Sequence, residues 1–440
     1  MIEENSMTAM KRKPWRNWAG TCAVTPVRVE RPTSTDGVAA VIRDAADAGL
    51  SVKAVGAGHS FTDIAAAPGI QLDLSALRGI VDVDRAARLV TVRADTRLNQ
   101  MPGLLRPHGL AMENLGDIDA QSIAGAISTG THGTGLRFGG IATQVRGLTL
   151  VDGSGNVHRV EGDDVAGHVI GLGALGVVTE VTLQCVDMFA LEDVEAAESL
   201  ETVLEEWRER ITEHDHFEFY WFPHTDVALT KTQRRLPGDA ELRPLPRWRR
   251  RLDDDVVSNR LFELTCRMGQ VLPTAIPAVN RVATRLTGRR THVDLSTNVY
   301  TTTRDVRFTE TEFAIPVDSL PAVVREIDDL VTRRDWRISF PIECRAAAAD
   351  DVWMSTAYRR DTAYVAVHRY HREPNEAYFN ACEEIFREHG GRPHWGKMHG
   401  MAHRDLAAAY PKFEDFLVLR DSLDPRRVFA NAYLDRVLGR

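Results

Sequence analysis

The sequence predicts an α+β protein built from two units, because its strand pattern changes near Val186. Before that point one helix alternates with many short strands, and after it longer strands are separated by helices. At 440 residues the chain is long enough for two domains. We therefore predict a disordered leader over 1–14, a first domain over 15–186, a second over 187–390 and a C-terminal segment over 391–440.

Hydrophobic spacing predicts the elements of the first domain. Apolar residues at helical spacing from Val38 to Ala45 predict a helix, which Thr35 or Asp36 caps and Gly49 ends. Alternating apolar residues predict two hairpins, over 81–94 and 145–160, and strands over 70–77 and 177–186.

The second domain is predicted from the same two periodicities. Helices are expected over 198–214, 261–286 (as a pair) and 375–390. Strands are expected over 216–235 (as a pair), 292–303, 307–317, 336–346 and 362–371, with a polar connector over 234–254.

Composition excludes several classes of protein. The net charge of −8 argues against a nucleic-acid surface, and the five scattered cysteines form no CxxC pair. The polar N-terminus lacks the apolar core of a secretory signal, so we expect a cytoplasmic protein. Residues 261–286 contain Glu263, Arg267 and Arg281, which argues against a membrane span but leaves weak contact with a membrane surface open.

Two glycine-rich stretches predict a surface for a large anionic ligand. Gly56, Ala57 and Gly58 follow an apolar run and lead directly to His59 and Ser60. Glycines this close let backbone amides approach an anion. The stretch SIAGAISTGTHGTG, residues 122–135, places small hydroxylated residues among its glycines and suits a pyrophosphate, although an ordinary glycine-rich loop remains an alternative.

The GLGALG stretch, residues 171–176, matches the GxGxxG pattern of dinucleotide-binding folds. That pattern requires a following helix, and here an alternating β-branched strand follows. We predict a tight turn into a strand whose backbone borders a ligand.

Glu343 and Arg345 are candidates for substrate binding. They lie two apart in a predicted strand and therefore on one face, with Ile342 and Cys344 on the other. A carboxylate beside a guanidinium suits a polyhydroxylated substrate, because one accepts and the other donates hydrogen bonds. A structural ion pair is the alternative interpretation.

The segment PHWGKMHGMAH, residues 393–403, predicts a loop that brings Lys397 to a pocket. A zinc hydrolase built on His399 and His403 is a remote alternative, since Gly400 stands where the zinc signature has glutamate. We expect no metal. The other histidines, His214, His216, His368 and His371, are expected to be surface or strand residues without a catalytic role.

Eight segments together resemble the sugar-1,4-lactone oxidoreductases of the vanillyl-alcohol-oxidase-type FAD fold. They are WRNWAGT, VGAGHS, NLGDIDAQSIAGAISTGTHGTG, LGALGVVTEVTLQCV, FYWFPHTD, PIECRA, GGRPHWGKMH and LDPRRVFANAYL. The resemblance covers nearly the whole chain and is greatest to members that act on L-gulono-1,4-lactone. It implies a two-subdomain FAD-binding domain over 15–186, an α+β substrate cap over 187–390 and a C-terminal segment that returns to the flavin.

The resemblance implies FAD-dependent oxidation of an aldonolactone, by hydride transfer from a hydroxyl-bearing carbon to the flavin, in ascorbate-type biosynthesis. It favours a dehydrogenase with a cytochrome or quinone-like electron acceptor. An oxygen-using lactone or alditol oxidase that makes hydrogen peroxide stays open, because Gly116 matches the small residue typical of oxidases.

Residue roles follow from the same resemblance. Glu343, Arg345 and Lys397 are implied as catalytic, and Ser122 and His394 as further substrate contacts. His59 occupies the place of the histidine that bonds to the flavin in many relatives, so it permits a covalent link that other relatives lack. The implied FAD contacts are Val55, Gly56, Ala57, Gly58, His59, Ser60, Gly116, Ser122, Gly125, Ser128, Gly130, Thr131, His132, Gly133, Val178 and Lys397.

Overall fold

The computed structural model describes residues 14–246, 262–286, 288–301 and 306–440. The predicted leader, apart from Pro14, and part of the predicted connector, residues 247–254, lie outside the described residues. The described part of the chain forms twenty strands in five sheets.

The first unit contains a three-stranded parallel sheet of order β3-β5-β4 and a five-stranded antiparallel sheet of order β10-β9-β11-β7-β6. Its strands are β1 Trp15–Arg16, β2 Ala23–Val24, β3 Arg28–Glu30, β4 Val52–Val55, β5 Ile70–Asp73, β6 Ile80–Asp84, β7 Leu89–Arg93, β8 Leu110–Ala111, β9 Val145–Val151, β10 Val157–Glu161, β11 Val177–Gln184 and β12 Val186–Asp187. Its α-helices are α1 Thr35–Asp47, α2 Met101–Leu105, α3 Ile123–Ser128 and α4 Val165–His168.

The predicted elements of the first unit are present, with corrections at a helix cap and at one strand, since the strand expected over 70–77 ends at Asp73. Ser34, and neither Thr35 nor Asp36, caps α1, because its extended backbone lets its hydroxyl accept the Gly37 N–H at 3.1 Å. Both predicted hairpins form, as β6–β7 and β9–β10. The GLGALG stretch leads into strand β11, as its β-branched sequence predicts.

The second unit is built on one eight-stranded sheet of order β16-β13-β15-β14-β18-β19-β17-β20. Its strands are β13 Phe189–Ser199, β14 His216–Trp221, β15 Val227–Pro237, β16 Arg290–Leu295, β17 Phe308–Pro316, β18 Ile342–Ala347, β19 Thr362–Tyr370 and β20 Arg392–Pro393. The helices are α5 Leu200–Glu205, α6 Trp207–Glu213, α7 Phe262–Val271, α8 Ile276–Leu286, α9 Ser296–Val299, α10 Leu320–Arg333, α11 Glu376–Glu388, α12 His403–Ala409, α13 Phe413–Leu423 and α14 Ala432–Leu438.

Several predictions for the second unit were wrong in detail. The helix expected over 198–214 begins only at Leu200 and divides at Glu206 into α5 and α6. The strand expected over 292–303 ends at Leu295, where α9 begins. Two further elements, β13 and α10, were not predicted from the sequence. The pair α7–α8 forms as predicted, and no described helix has both the length and the apolar content to cross a bilayer.

The C-terminal segment packs against the first unit beside the loop that carries His59. The Val52 N–H donates to the Val428 carbonyl oxygen at 2.8 Å. The Asn431 side-chain amide donates to the carbonyl oxygens of Asp63 and Ile64 at 3.0 and 3.2 Å. These hydrogen bonds fix the end of the chain next to the glycine loop, 56–60.

Candidate active site

Two cavities meet at the loop that carries His59. The larger, of about 360 Å³, lies between the first unit and the eight-stranded sheet. The smaller, of about 130 Å³, lies within the first unit. His59, Ser60, Gln121 and Thr129 line both, so the two cavities form one continuous cleft.

The smaller cavity is lined by the two glycine-rich stretches predicted to bind a large anion. A Cβ atom added to Gly56 would lie 2.5 Å from the Ser122 hydroxyl, and one added to Gly125 would lie 2.9 Å from it. Gly56 therefore lets the two glycine-rich stretches approach each other, and Gly125 leaves room for the Ser122 hydroxyl within its own stretch. Of the implied FAD contacts, those on this cavity are Val55, Gly56, Ala57, Gly58, His59, Ser60, Ser122, Gly125, Ser128 and Val178.

A cleft with a narrow backbone-lined arm and a wider polar chamber fits a dinucleotide that extends from one into the other. Gly116, Thr131, His132 and Lys397 line the chamber, as the resemblance implies for the flavin end. Gly130 and Gly133 do not line either cavity. Gly130 has a φ of +76°, and a Cβ at Gly133 would collide with the Leu115 carbonyl oxygen, so these glycines shape the loop itself.

Ser122 lines the smaller cavity and not the larger one, so its contact with substrate stays a prediction. Its hydroxyl caps α3, accepting the Gly125 N–H at 3.3 Å.

One face of the eight-stranded sheet forms a wall of the larger cavity. In the strand register Tyr220 of β14 lies opposite Glu343 of β18, which lies opposite Ala366 of β19. Ala366 in turn lies opposite Glu312 of β17. Because Ala366 has only a methyl group, the row leaves space between the Glu343 and Glu312 carboxylates.

Glu343 and Arg345 lie on one face of β18, as the period-two spacing predicts. The Arg345 Nε atom lies 2.5 Å from Oε1 of Glu343 and 2.9 Å from Oε2 of Glu218. Burial raises the pKa of Glu343 to about 7 against the attraction of Arg345, and the Glu218 carboxylate adds to the rise. Glu343 can therefore accept a proton in the neutral pH range.

Lys397 reaches the larger cavity from the loop that follows β20. Its Nζ atom lies 2.5 Å from Oε2 of Glu310, and it sits over the Phe61 ring at 5.1 Å from the centroid. Burial lowers the pKa of Lys397, but the Glu310 and Glu312 carboxylates outweigh burial and raise it above its ordinary value. The side chain is therefore a fixed cation at the cavity wall.

His59 lies where the two cavities join. Its ring stacks on Trp18 with the centroids 5.5 Å apart and the planes 20° from parallel. Burial, with the charges of Lys397 and Arg97, lowers the pKa of His59 to about 4. The imidazole is therefore neutral at physiological pH and has a nucleophilic nitrogen.

His399 and His403, the two histidines with the spacing of the zinc signature, belong to no group of described side chains suited to a metal ion. The His399 Nε2 atom lies 3.0 Å from the Tyr433 hydroxyl. Within the described ranges, the only group suited to a metal ion consists of His132, Glu312 and His394. His394 accepts the Gly396 N–H on Nδ1 at 3.0 Å and hydrogen-bonds the Gly130 backbone, so both of its nitrogens are engaged.

Five polar residues of the eight-stranded sheet line or support the larger cavity and were not predicted as site residues. Glu310 and Glu312 alternate on β17 within the sequence FTETEF, the same spacing that singled out Glu343 and Arg345. The other three are Glu218, Tyr220 and His368. His368 is a strand residue, as predicted, but its ring lines the cavity.

Comparison with known proteins identifies the class first. Residues 26–161 match the FAD binding domain model. The cholesterol oxidase from B. sterolicum has the same fold, with a TM-score of 0.82, 18% sequence identity and coverage of 97% of this chain and 96% of that one. The chain therefore contains an FAD-binding domain and has a vanillyl-alcohol-oxidase-type fold.

Residues 181–437 match the D-arabinono-1,4-lactone oxidase model, and the chain belongs to this family of aldonolactone oxidoreductases. An L-gulono-1,4-lactone dehydrogenase from Mycobacterium tuberculosis is 43% identical over 426 residues, which cover 97% of this chain and 99% of that protein. The L-gulonolactone oxidase of Bos taurus is 31% identical and covers 96% and 98%. An alditol oxidase from a Streptomyces species is 29% identical and covers 96% and 98%.

Proposed function

We propose that the protein oxidises an aldonolactone of the L-gulono-1,4-lactone type, with FAD as cofactor, as a dehydrogenase in ascorbate-type biosynthesis. The observation that carries this proposal is the grouping of Glu343, Arg345 and Lys397 around one chamber that opens into the glycine-lined cavity. Support for the substrate class comes from the relative named L-gulono-1,4-lactone dehydrogenase, which is 43% identical over 97% of the chain.

Binding of the lactone uses the carboxylate and the guanidinium of the sheet wall. Arg345 donates to lactone oxygens, and Glu343 accepts from a hydroxyl group of the substrate. Tyr220, opposite Glu343 across the sheet, adds a hydroxyl to the same wall. His394 lines the chamber with a neutral ring, because burial lowers its pKa to about 3.

Glu343 is proposed to act as the general base. Bound FAD supplies the hydride acceptor. Glu343 removes the proton of the reacting hydroxyl group, for which a pKa of about 7 is well matched near neutral pH. Lys397 holds a positive charge beside the chamber, where it stabilises negative charge that develops during the reaction.

His59 is proposed to hold the cofactor covalently. Its neutral imidazole lies at the junction of the two cavities and stacks on Trp18, which fixes the direction of the ring. A covalent bond from this position would replace a C–H bond of a flavin methyl group with a C–N bond, with two electrons passing to the flavin ring and on to the electron acceptor, and would keep the cofactor in the cleft.

The electron acceptor is proposed to be a cytochrome or quinone-like carrier. Gly116 first suggested access for oxygen, but a Cβ at this position would lie 2.8 Å from the His132 carbonyl oxygen. Packing therefore gives this glycine a reason that does not depend on the acceptor, so Gly116 by itself is a weaker argument for an oxidase. Similarity to the named dehydrogenase remains and favours an acceptor other than oxygen.

Localisation in the cytoplasm with weak contact to a membrane surface completes the proposal. Helix α7 begins at Phe262, which lines the chamber, and the α7–α8 pair exposes a group of apolar side chains. They are Leu264, Met268, Val271, Leu272 and Val282. Val271→Asp is expected to abolish co-sedimentation with phosphatidylglycerol vesicles, and Val418→Asp, on another exposed site, to leave it unchanged.

A substrate panel tests the proposed function. Purified holoenzyme is assayed with L-gulono-1,4-lactone, D-arabinono-1,4-lactone and an alditol, each with a dye acceptor, with cytochrome c and with oxygen. We expect turnover of a lactone with the dye or cytochrome and little peroxide. Peroxide formation at the same rate would identify an oxidase instead, and turnover of the alditol alone would exclude the lactone.

A further inference from the structure

A buried lysine of the smaller cavity has no part in the chemistry described so far. Lys53 interrupts the apolar run of β4 and is 3% exposed. A lysine is almost never buried this completely unless it is paired, so its surroundings indicate what it binds. Lys53 lines the smaller cavity, and among the described residues on that cavity it is the only lysine or arginine.

Two segments distant in sequence hold the Lys53 ammonium through backbone groups. Its Nζ atom donates to the Gly173 carbonyl oxygen at 2.9 Å and to the Phe429 carbonyl oxygen at 3.3 Å. Gly173 belongs to the GLGALG stretch and also lines the cavity, and Phe429 belongs to the C-terminal segment. The ammonium therefore joins β4, the turn before β11 and the end of the chain beside the smaller cavity.

The hydrogen-bonding capacity of Lys53 exceeds what these two carbonyl oxygens use. An ammonium group has three N–H donors, and the carbonyls of Gly173 and Phe429 accept two of them. A buried donor without an acceptor is costly, and more so when it is charged. One N–H of Lys53 therefore remains for a ligand in the cavity that the side chain lines.

The charge of Lys53 is only partly balanced within the protein. The buried Asp424 carboxylate attracts the ammonium, but its two oxygens accept the backbone N–H groups of Val428 and Phe429 at 2.8 Å each. Burial lowers the pKa of Lys53 to about 7 and so outweighs the attraction of Asp424. An anionic ligand in the cavity would stabilise the charged form of the lysine.

The other titratable side chains on the wall of the smaller cavity do not take this place. Asp95, which is buried, already pairs with Arg78 at 2.7 Å and with Arg97 at 3.1 Å. His59 lines the same cavity with a neutral ring, because its pKa is lowered to about 4. Among the described residues on this wall, Lys53 is thus the cation that an anionic ligand would meet.

We propose that Lys53 is a further cofactor-binding residue, which donates its third N–H to the adenosine diphosphate half of FAD. Through Gly173 and Phe429 it would also tie the GLGALG stretch and the C-terminal segment to the bound cofactor. The diphosphate supplies negative charge, and the adenosine supplies hydroxyl and ring-nitrogen acceptors, all of which suit an ammonium donor. The proposal rests on the proposed function only for the orientation of FAD, with the flavin in the larger cavity.

A neutral replacement separates cofactor binding from support of the fold. Lys53→Gln keeps a donor for the backbone carbonyls and loses the charge. In a His59→Ala background, where no covalent bond can retain the flavin, it is expected to weaken FAD binding by about 10- to 100-fold, measured by the fluorescence of released flavin. Lys412→Gln, at a position outside both cavities, is the control. An unchanged FAD affinity in Lys53→Gln would overturn the proposal and leave Lys53 a structural bridge.

A crystal structure of the wild-type holoenzyme provides a measurement that needs no variant. The Lys53 Nζ atom is expected within about 2.7–3.2 Å of an oxygen or nitrogen atom of the adenosine diphosphate half of FAD. A separation of more than about 4 Å from every atom of that half would overturn the proposal. Neither measurement uses a lactone, so failure of the proposed substrate and failure of this contact are distinguishable.

Discussion

The Nε atom of Arg345 lies 2.5 Å from Oε1 of Glu343, and both side chains leave β18 on the face that lines the larger cavity. In a simple buried ion pair, the guanidinium would hold the pKa of the carboxyl group well below neutral. Here burial and the nearby Glu218 keep the pKa of Glu343 at about 7 despite the guanidinium. A proton acceptor in the neutral range is therefore poised beside a donor for substrate oxygens.

Replacement of Glu343 by glutamine should slow catalysis without loss of the cofactor. Loss of a general base lowers turnover by about 10²- to 10⁴-fold. Steady-state turnover and the absorption ratio of flavin to protein measure the two effects. Glu384→Gln, an exposed site on α11, is the matched control. Turnover of Glu343→Gln at the wild-type rate would show that Glu343 is not the general base.

The pH dependence of kcat/KM should report the same carboxylate. Glu343 acts as a base only when ionised, so activity should fall as the pH drops through about 7. The acidic limb of the profile should disappear in Glu343→Gln, whose residual activity has no such base. If the acidic limb stays at the same pH in the variant, a group other than Glu343 is responsible for it.

Acid precipitation should leave the flavin in the protein pellet of the wild type and release it from His59→Ala. The neutral ring at the junction of the cavities is the nucleophile that the bond requires. His108→Ala, at a position outside both cavities, should behave like the wild type. Yellow colour in the supernatant of the wild type would mean that His59 binds FAD without a bond.

Gly116→Ala should destabilise the fold and leave the preference for the acceptor unchanged. The added methyl group would lie 2.8 Å from the His132 carbonyl oxygen, and overpacking of this kind costs about 1–3 kcal/mol. Thermal unfolding and reoxidation by air measure the two properties. Gly103→Ala, where nothing lies within 4 Å of the added Cβ, is the control. Rapid reoxidation of the wild type that is abolished in Gly116→Ala would show that Gly116 gives oxygen access to the flavin.

Asn431→Ala should loosen the C-terminal segment and lower the FAD content. Asn431 caps α14 by accepting the Leu434 N–H at 2.9 Å, and its side-chain amide donates to the carbonyl oxygens of Asp63, Ile64 and Ala66. Loss of a cap and of these hydrogen bonds costs about 2 kcal/mol. Denaturant unfolding and flavin content measure the effect, with exposed Asn99→Ala as the control. Unchanged flavin content would show that the C-terminal segment does not support cofactor binding.

Alternation along a strand predicted one half of the chamber and missed the other. The spacing of Glu343 and Arg345 places them on one face, and two unlike charges together suggested a site. Glu310 and Glu312 have the same spacing, but two like charges in a strand are typical of a solvated face. They are buried because the loop 394–398 covers β17, a contact between segments distant in sequence.

Glycine patterns predicted the lining of the smaller cavity, because close approach of two backbones leaves few alternatives to glycine. The role of a side chain could not be predicted in the same way where its polar group also forms a hydrogen bond within its own segment. Ser122 lies beside the cofactor loops as expected, yet its hydroxyl is used by its own helix. Gly116 packs closely against the His132 carbonyl oxygen, and the sequence pattern does not reveal this contact.

Anaerobic mixing of the FAD-loaded enzyme with L-gulono-1,4-lactone tests the central claim most directly. The chamber of Glu343, Arg345 and Lys397 is proposed to deliver the electrons of a lactone to the flavin, so the flavin absorption near about 450 nm should bleach in one turnover. Addition of a dye acceptor should then restore it faster than air does. An unbleached flavin with saturating gulono- and arabinono-lactones would contradict the proposed function.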